Sequence, residues 1–293
     1  MIVAETADGF RFVTQPDHAA LAGQFADHWG NDAFEPPEPA AAVALAAYAH
    51  DDGWWPYDRR PHLDSDGRPV DFREMPAATW VDLYDEGIDS VVDLDAYAGL
   101  VVSMHGTGLR RQRYGLSPSW PTPPGFDAFV DRQERRQARL VRALHAGEVS
   151  SPVAVDHGAH STSEADVALL SALHETGVAP DGTASRLWRN YELLQAWDTL
   201  SLSFCTSTSP PSYGEIASVP TGADGSEVTL SVEPSDEGAF RVTPYPFDVD
   251  PLVVSVPTRH ASADAFDDEG GLVRAYFDGG RETLTFALRS GAP

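Results

Sequence analysis

Apolar residues recur at three- and four-residue intervals through the first two-thirds of the chain and at two-residue intervals through much of the last third. The first period predicts helices. In "TQPDHAALAGQFADHW", Thr14 stands three residues before Asp17, a capping-box-like spacing, with Pro16 in the permitted first turn. Leu21, Phe25 and Trp29 then repeat every fourth residue, and His18 shares their face. A second helix is expected from about Ala40 to Asp51, after "FEPPEP" and before Gly53. A third, about Asp93 to His105, has the stripe Leu94, Tyr97, Val101, Met104 and is expected to stop at "GTG". Phe126 to His145 is strongly amphipathic. Ser163 caps a fifth helix closing at Gly177, and "SRLWRNYELLQAWDTLSLSFC" forms a sixth, with Leu187, Tyr191, Leu194, Asp198 and Leu202 on one face.

Past "TSTSPPSYG" the pattern turns strand-like: "EVTLSVE", "AFRVTPYPF", "LVVSVPT", "LVRAYFD" and "ETLTFALR", with "DGGR" as a hairpin turn between the last two. The expected fold class is mainly α, a helical bundle over residues 1–208 with a β-rich C-terminal extension over 209–293. Two long stretches, Pro56 to Gly87 and Gly106 to Gly125, read as non-helical. The first is too aromatic for simple disorder and reads as a cover over a pocket. No repeat of 20–50 residues is present.

Charge changes the picture next. The 293 residues carry 45 acids against 20 basic residues, all arginine, for a net charge of −25. Such a surface disfavours nucleic-acid backbones and anionic membranes. The acids are dispersed, and the composition resembles that of proteins from extreme halophiles, whose self-repulsion is screened by concentrated salt. A single cysteine, Cys205, excludes an internal disulfide framework and a cysteine-rich zinc site. No apolar run is long enough for a membrane span, and the N-terminus lacks the pattern of a secretory signal, so a cytoplasmic location is expected.

Four features carry candidate chemistry. His18 lies on the apolar face of the first helix, His50-Asp51 ends the second, His105 ends the third, and Asp198 interrupts the apolar stripe of the sixth. Burying such side chains unpaired costs several kcal/mol. Three imidazoles and two carboxylates suit one or two divalent transition-metal ions, Mn, Fe, Zn or Ni.

The order His, His-Asp, Asp resembles the HD superfamily of helical metal-dependent phosphohydrolases. "QPDHAALAGQFADHWG" looks like its first-histidine helix, "ALAAYAHDDGWW" like its doublet helix and "LLQAWDTLSL" like its final-aspartate helix. His105 resembles the extra histidine of binuclear members. "TQPDHAALAGQ", "HDDGW", "SMHGTGL" and "WDTLSLSFC" together also look like a prokaryotic family known only as a domain of unknown function. The resemblance implies an HD-like bundle, metal held by His18, His50, Asp51, His105 and Asp198, Asp51 bridging if two ions bind, and hydrolysis of a small-molecule phosphoester or nucleotide. Many HD enzymes follow the doublet with a small apolar residue, glycine and lysine; here Asp52, Gly53 and Trp54 take those places.

Around that set, Asp52 is a candidate acid/base, an orienter of a ligand histidine, or a solvated acid. Arg110, Arg111 and Arg113 crowd the loop after His105, to grip phosphate or to pair with the abundant acids. Trp54 and Trp55 are candidates for stacking on substrate or for core. "DHGAHS", with Asp156, His157 and His160, is a weaker metal candidate, and Cys205 reads as packing. No phosphate-binding loop, dinucleotide fingerprint or serine-nucleophile elbow occurs. Two other functions use the same residues: a di-iron oxygenase, or a non-catalytic module with a structural metal.

Overall fold

The computed structural model describes residues 1–116, 124–149, 162–180, 182–206, 214–222, 224–235 and 239–291. The expected domain boundary at 208 and the cluster Asp156, His157 and His160 lie outside them.

The chain opens with a hairpin, β1 (Ile2–Thr6) and β2 (Gly9–Val13), paired with Ile2 opposite Val13 and Thr6 opposite Gly9. Helix α1 (Gln15–Asp27) follows at once, with Thr14 as its N-cap accepting from the Asp17 amide. Helix α2 (Ala40–Ala49) is built almost wholly of small residues and lies close along α1, where Gly23 leaves room for the Tyr48 ring. A short 3-10 turn, Asp52–Trp54, leads into α3 (Trp55–Asp58), and buried Asp58 ties it to α1 by accepting from the Gln15 amide at 2.7 Å.

Helix α4 (Ala77–Leu94) corrects the expectation of an irregular stretch out to Gly87. Its buried face, Trp80, Tyr84, Ile88 and Val91, has ordinary helical spacing; the prolines and aromatics before Ala77 disguise where it begins. The next helix, α5 (Ala96–Gly108), starts three residues later than expected, because the Asp95 side chain accepts from the Tyr97 and Ala98 amides and caps it. Leu94 therefore ends α4 and stands exposed, and α5 runs through "GTG", its glycines tolerated because the whole helix is buried. Helices α6 (Asp127–His145), α7 (Glu164–Thr176) and α8 (Arg186–Thr206) match their expected spans closely; Ser163 caps α7 and Gly177 ends it in a left-handed conformation.

The last part adds β3 (Glu215–Pro220), β4 (Glu227–Pro234), β5 (Ala239–Thr243), β6 (Leu252–Ser262), α9 (Glu269–Asp278) and β7 (Glu282–Ser290). The expected strand "LVRAYFD" is thus a helix: Asp268 caps it through the Gly271 amide, and Leu272 and Tyr276, four apart, are its buried face. "DGGR" is accordingly a helix-to-strand connection, not a hairpin turn.

The strand order is β1-β2-β6-β7-β5-β4-β3, antiparallel except between β5 and β7. The fold is mixed α/β, with one curled sheet drawing strands from both ends of the chain, rather than a helical bundle with an appended β region. The sheet grips the helices directly. Gln24 of α1 bonds both the amide and the carbonyl of Ser255 in β6, each at 2.9 Å. Trp29 packs edge-on against Trp197 of α8 and Phe247. Among the described residues no helix is long and apolar enough to cross a membrane.

Candidate metal centre

Four helices deliver the five expected ligands to one point. His18 comes from the second turn of α1, His50 caps the C-terminus of α2 with Asp51 next to it, His105 sits in the last turn of α5, and Asp198 lies in the middle of α8. All five are buried, with exposures of 0 to 4%, so each must be satisfied inside the protein. His18 Nε2 lies 3.2 Å from Asp198 Oδ1 and 3.8 Å from Asp51 Oδ2. His50 Nε2 lies 3.7 Å from Asp51 Oδ2 and 3.6 Å from Asp198 Oδ1. Two triads, His18-His50-Asp51 and His50-His105-Asp198, each bring their ligand atoms within 4.8 Å of one another.

The hydrogen bonds behind these atoms fix which nitrogen carries the lone pair. His50 Nδ1 is 2.8 Å from the Ala47 carbonyl, so it must donate, and Nε2 is left as a buried acceptor without a partner. Ser201 donates its hydroxyl hydrogen to the Asp198 carbonyl at 3.0 Å, so its oxygen accepts from His18 Nδ1 at 2.9 Å. His18 Nε2 then also presents a lone pair, straight at a carboxylate oxygen. Two imidazole lone pairs and two carboxylate oxygens facing one another repel unless a positive charge, a proton on an imidazole or a cation, lies between them. A cation at their centre reverses the sign, and a borderline metal suits this nitrogen and oxygen set.

His105 is held by Gln195, whose amide nitrogen lies 2.8 Å from Nδ1 while its oxygen is buried without a partner. A half-turn of that amide would put the oxygen on Nδ1–H and free Nε2 for a cation. Burial pulls His105 down to about 3, keeping it neutral as a ligand must be. Burial also pulls on His50, but Asp51 and Asp198 outweigh it and raise the imidazole to about 9. For Asp198, burial is opposed by hydrogen bonds from His18 and His50 and by the nearby His105 and Arg113, which together hold the carboxyl well below its usual range.

Further residues complete the site. Tyr84 of α4 donates to Asp51 Oδ1 at 2.7 Å, leaving Oδ2 for the histidines. Arg113 reaches the far oxygen of Asp198, Nη2 to Oδ2 3.1 Å, and the Thr199 hydroxyl at 2.6 Å. Ser201 and Gln195 stand three residues either side of Asp198, a helical spacing that marks them as sharing its face. Tyr84 carried the same kind of signal within the periodicity of α4.

The other expected site residues are distributed differently. The Arg110 guanidinium is sandwiched between the Trp80 and Phe126 rings, 3.8 Å from each centroid, and burial draws it down to about 10. Arg111 points away, paired with Glu134 of α6 at 2.7 Å. Trp54 is buried edge-on against Tyr84, whereas Trp55 is 57% exposed. Asp52 is exposed, outside the ring of ligands.

A family model described as "Protein of unknown function (DUF3891)" matches residues 1–262. The chain belongs to the DUF3891 family. Neither curated proteins nor solved structures provide a match. All five candidate ligands of this DUF3891 member fall inside the matched region, as do β1 to β6, so the family's span takes in both the centre and most of the sheet.

Proposed function

We propose that the five buried ligands hold one or two divalent transition-metal ions, Mn, Fe, Zn or Ni, and that the centre hydrolyses a small phosphoester. The observation that carries the metal is the buried, unpartnered Nε2 of His50, aimed with His18 Nε2 at two carboxylates. The reading of the chemistry rests on the HD-like order of ligands and on Arg113 beside the carboxylates. A bound cation of this class supplies Lewis acidity, lowering the pKa of water and polarising a phosphoryl oxygen.

The chain's own residues set the stage for that chemistry. Ala47 and Ser201 lock the ring orientations of His50 and His18, and Tyr84 steers Asp51. Arg113, which donates to Asp198, would meet an anionic oxygen from that side. The net charge of −25 favours a small substrate over a nucleic-acid polymer.

The test is elemental analysis of purified protein, followed by a phosphoester panel, both in molar KCl. Metal near stoichiometry in the native chain, lost in His50→Ala, together with phosphate release, is the expected result. Full metal occupancy in His50→Ala means that the site is misassigned.

A second reading has one observation in its favour: the ligands are almost wholly enclosed. In that case the metal is structural, and chelation lowers the melting temperature of a protein that turns over nothing on the panel. Tightly held iron with oxygen consumption and no phosphate release would instead select oxygenase chemistry.

A further inference from the structure

A cavity of about 260 Å³ lies between the start of α1, α3, β6 and the end of α9, and it contains none of the five ligands. Two aromatic rings are found among the exposed large hydrophobic side chains, Trp55 at 57% and Phe277 at 51%, and both line this cavity. Exposing a tryptophan and a phenylalanine on the same concave surface forgoes burial of a large apolar area, which marks ligand surfaces. The charge is equally out of keeping with the rest of the molecule. Arg59, Arg259 and Arg281 converge here, against Asp17 and Asp58, in a chain with more than two acids for every arginine.

Both aspartates are already engaged. Asp58 is buried against the Met1 ammonium at 2.6 Å, and Asp17 accepts from Thr14 at 2.7 Å and lies 3.4 Å from Arg281. Arg259 serves α9, donating to the carbonyls of Tyr276 and Gly280. Arg59 is exposed and has no ion-pair partner among the described residues. The exposed guanidiniums of Arg59 and of Arg281, the latter 3.4 Å from Asp17, thus stand beside the exposed Trp55 ring and the half-exposed Phe277 ring, whose far face Arg259 and Tyr276 cover.

We propose that this cavity is a second binding site, for a small organic anion built on a planar ring. The ring lies against Trp55 and Phe277, and the anionic arm is held by Arg59 and Arg281. The volume admits one ring with a short arm, and neither part alone uses both halves of the lining.

Calorimetric titration of the full chain in molar KCl, with phenylacetate, acetate and benzyl alcohol as probes, tests this. Phenylacetate is expected to saturate one site and the other two to bind at least about tenfold more weakly. The double variant Arg59→Gln/Arg281→Gln and, separately, Trp55→Ala should each weaken phenylacetate by about tenfold while melting like the native chain, since all three side chains are exposed. Equal affinity in native and variant proteins, or acetate binding as well as phenylacetate, overturns the proposal. So does loss of binding in His50→Ala, which would place the carboxylate at the metal centre. Metal content should be unchanged in the cavity variants, so failure here leaves the metal reading standing.

Discussion

Tyr84 is the residue on which the arrangement of Asp51 turns. Its hydroxyl occupies one carboxylate oxygen at 2.7 Å and so decides which oxygen faces the histidines. Groups that orient ligands in this way are worth about 10–100-fold in metal affinity. Tyr84→Phe is therefore expected to weaken metal binding by about that factor while leaving the fold intact, as competition with a chelating dye would measure. A different residue governs a pH effect away from the centre. Burial, reinforced by Glu227, raises the Glu192 carboxyl to about 8. Its folded pKa is above the unfolded value near 4.5, so its contribution to stability is complete below that value and is lost as pH rises through 8. Glu192→Gln removes the titration. The melting temperature of this variant relative to native should climb between pH 5 and 8; a constant gap across that range would show that Glu192 is not the group responsible.

At the scale of elements, the His50-Asp51 corner depends on how tightly the 3-10 turn meets α4. A Cβ on Gly53 would collide with the Leu83 carbonyl oxygen and crowd the Cα of Gly87, one turn further along α4. Glycine is needed there for close approach, not merely to end a helix. Gly53→Ala should destabilise the protein by about 1–3 kcal/mol in denaturant titration and, by displacing Asp51, reduce metal occupancy. Arg113 is delivered by a more strained device. Gln112, Arg113 and Tyr114 are successive non-glycine residues at φ of 50 to 54°, a conformation costing about 1–2 kcal/mol per residue. Tyr114 anchors that turn through the Thr107 hydroxyl at 2.7 Å.

This is also the scale at which sequence reading succeeded and failed. Helices α1, α6, α7 and α8 were legible because each carries a long stripe or an explicit cap, and they bring two of the five ligands. The other three sit at helix ends marked by "HDDG" and "HGTG". The five candidate side chains could therefore be named before any packing was known, and they do meet at one buried point. Helix α4 was hidden by prolines at its entrance, and β1 and β2 by their brevity. Helix α9 was mistaken for a strand because Leu272, Val273, Ala275, Tyr276 and Phe277 crowd apolar residues too densely for either period to stand out. The burial of Tyr84 beneath Asp51 and the pairing of Arg111 with Glu134 depend on packing between distant segments, for which local pattern has no signal.

For the molecule as a whole, two global properties follow. A net charge of −25 on a compact body repels itself, and the range of that repulsion falls from about 10 Å at 0.1 M salt to about 3 Å at 1 M. The melting temperature is therefore expected to rise steadily with KCl across that interval; a flat or falling profile would mean that the surface acids are already offset locally. A metal held at the proposed centre adds to this by mass action. At a free metal concentration 100 times its dissociation constant, binding contributes about 2.7 kcal/mol, so chelation should lower the melting temperature by several degrees at any salt concentration.

The sheet joins the two ends of the chain, and this sets a schedule for synthesis. β2 leaves the ribosome well before its partner β6: Arg11 of β2 stands opposite His260 of β6 in the finished protein. His18 likewise waits 180 residues for Asp198. Until α8 and β6 are made, the hairpin has an open edge and His18 has no carboxylate from α8, so neither the sheet nor the proposed centre can be completed before then. A dense covering of acids, which keeps such waiting segments from sticking to one another, is therefore as useful to the half-made chain as to the finished one.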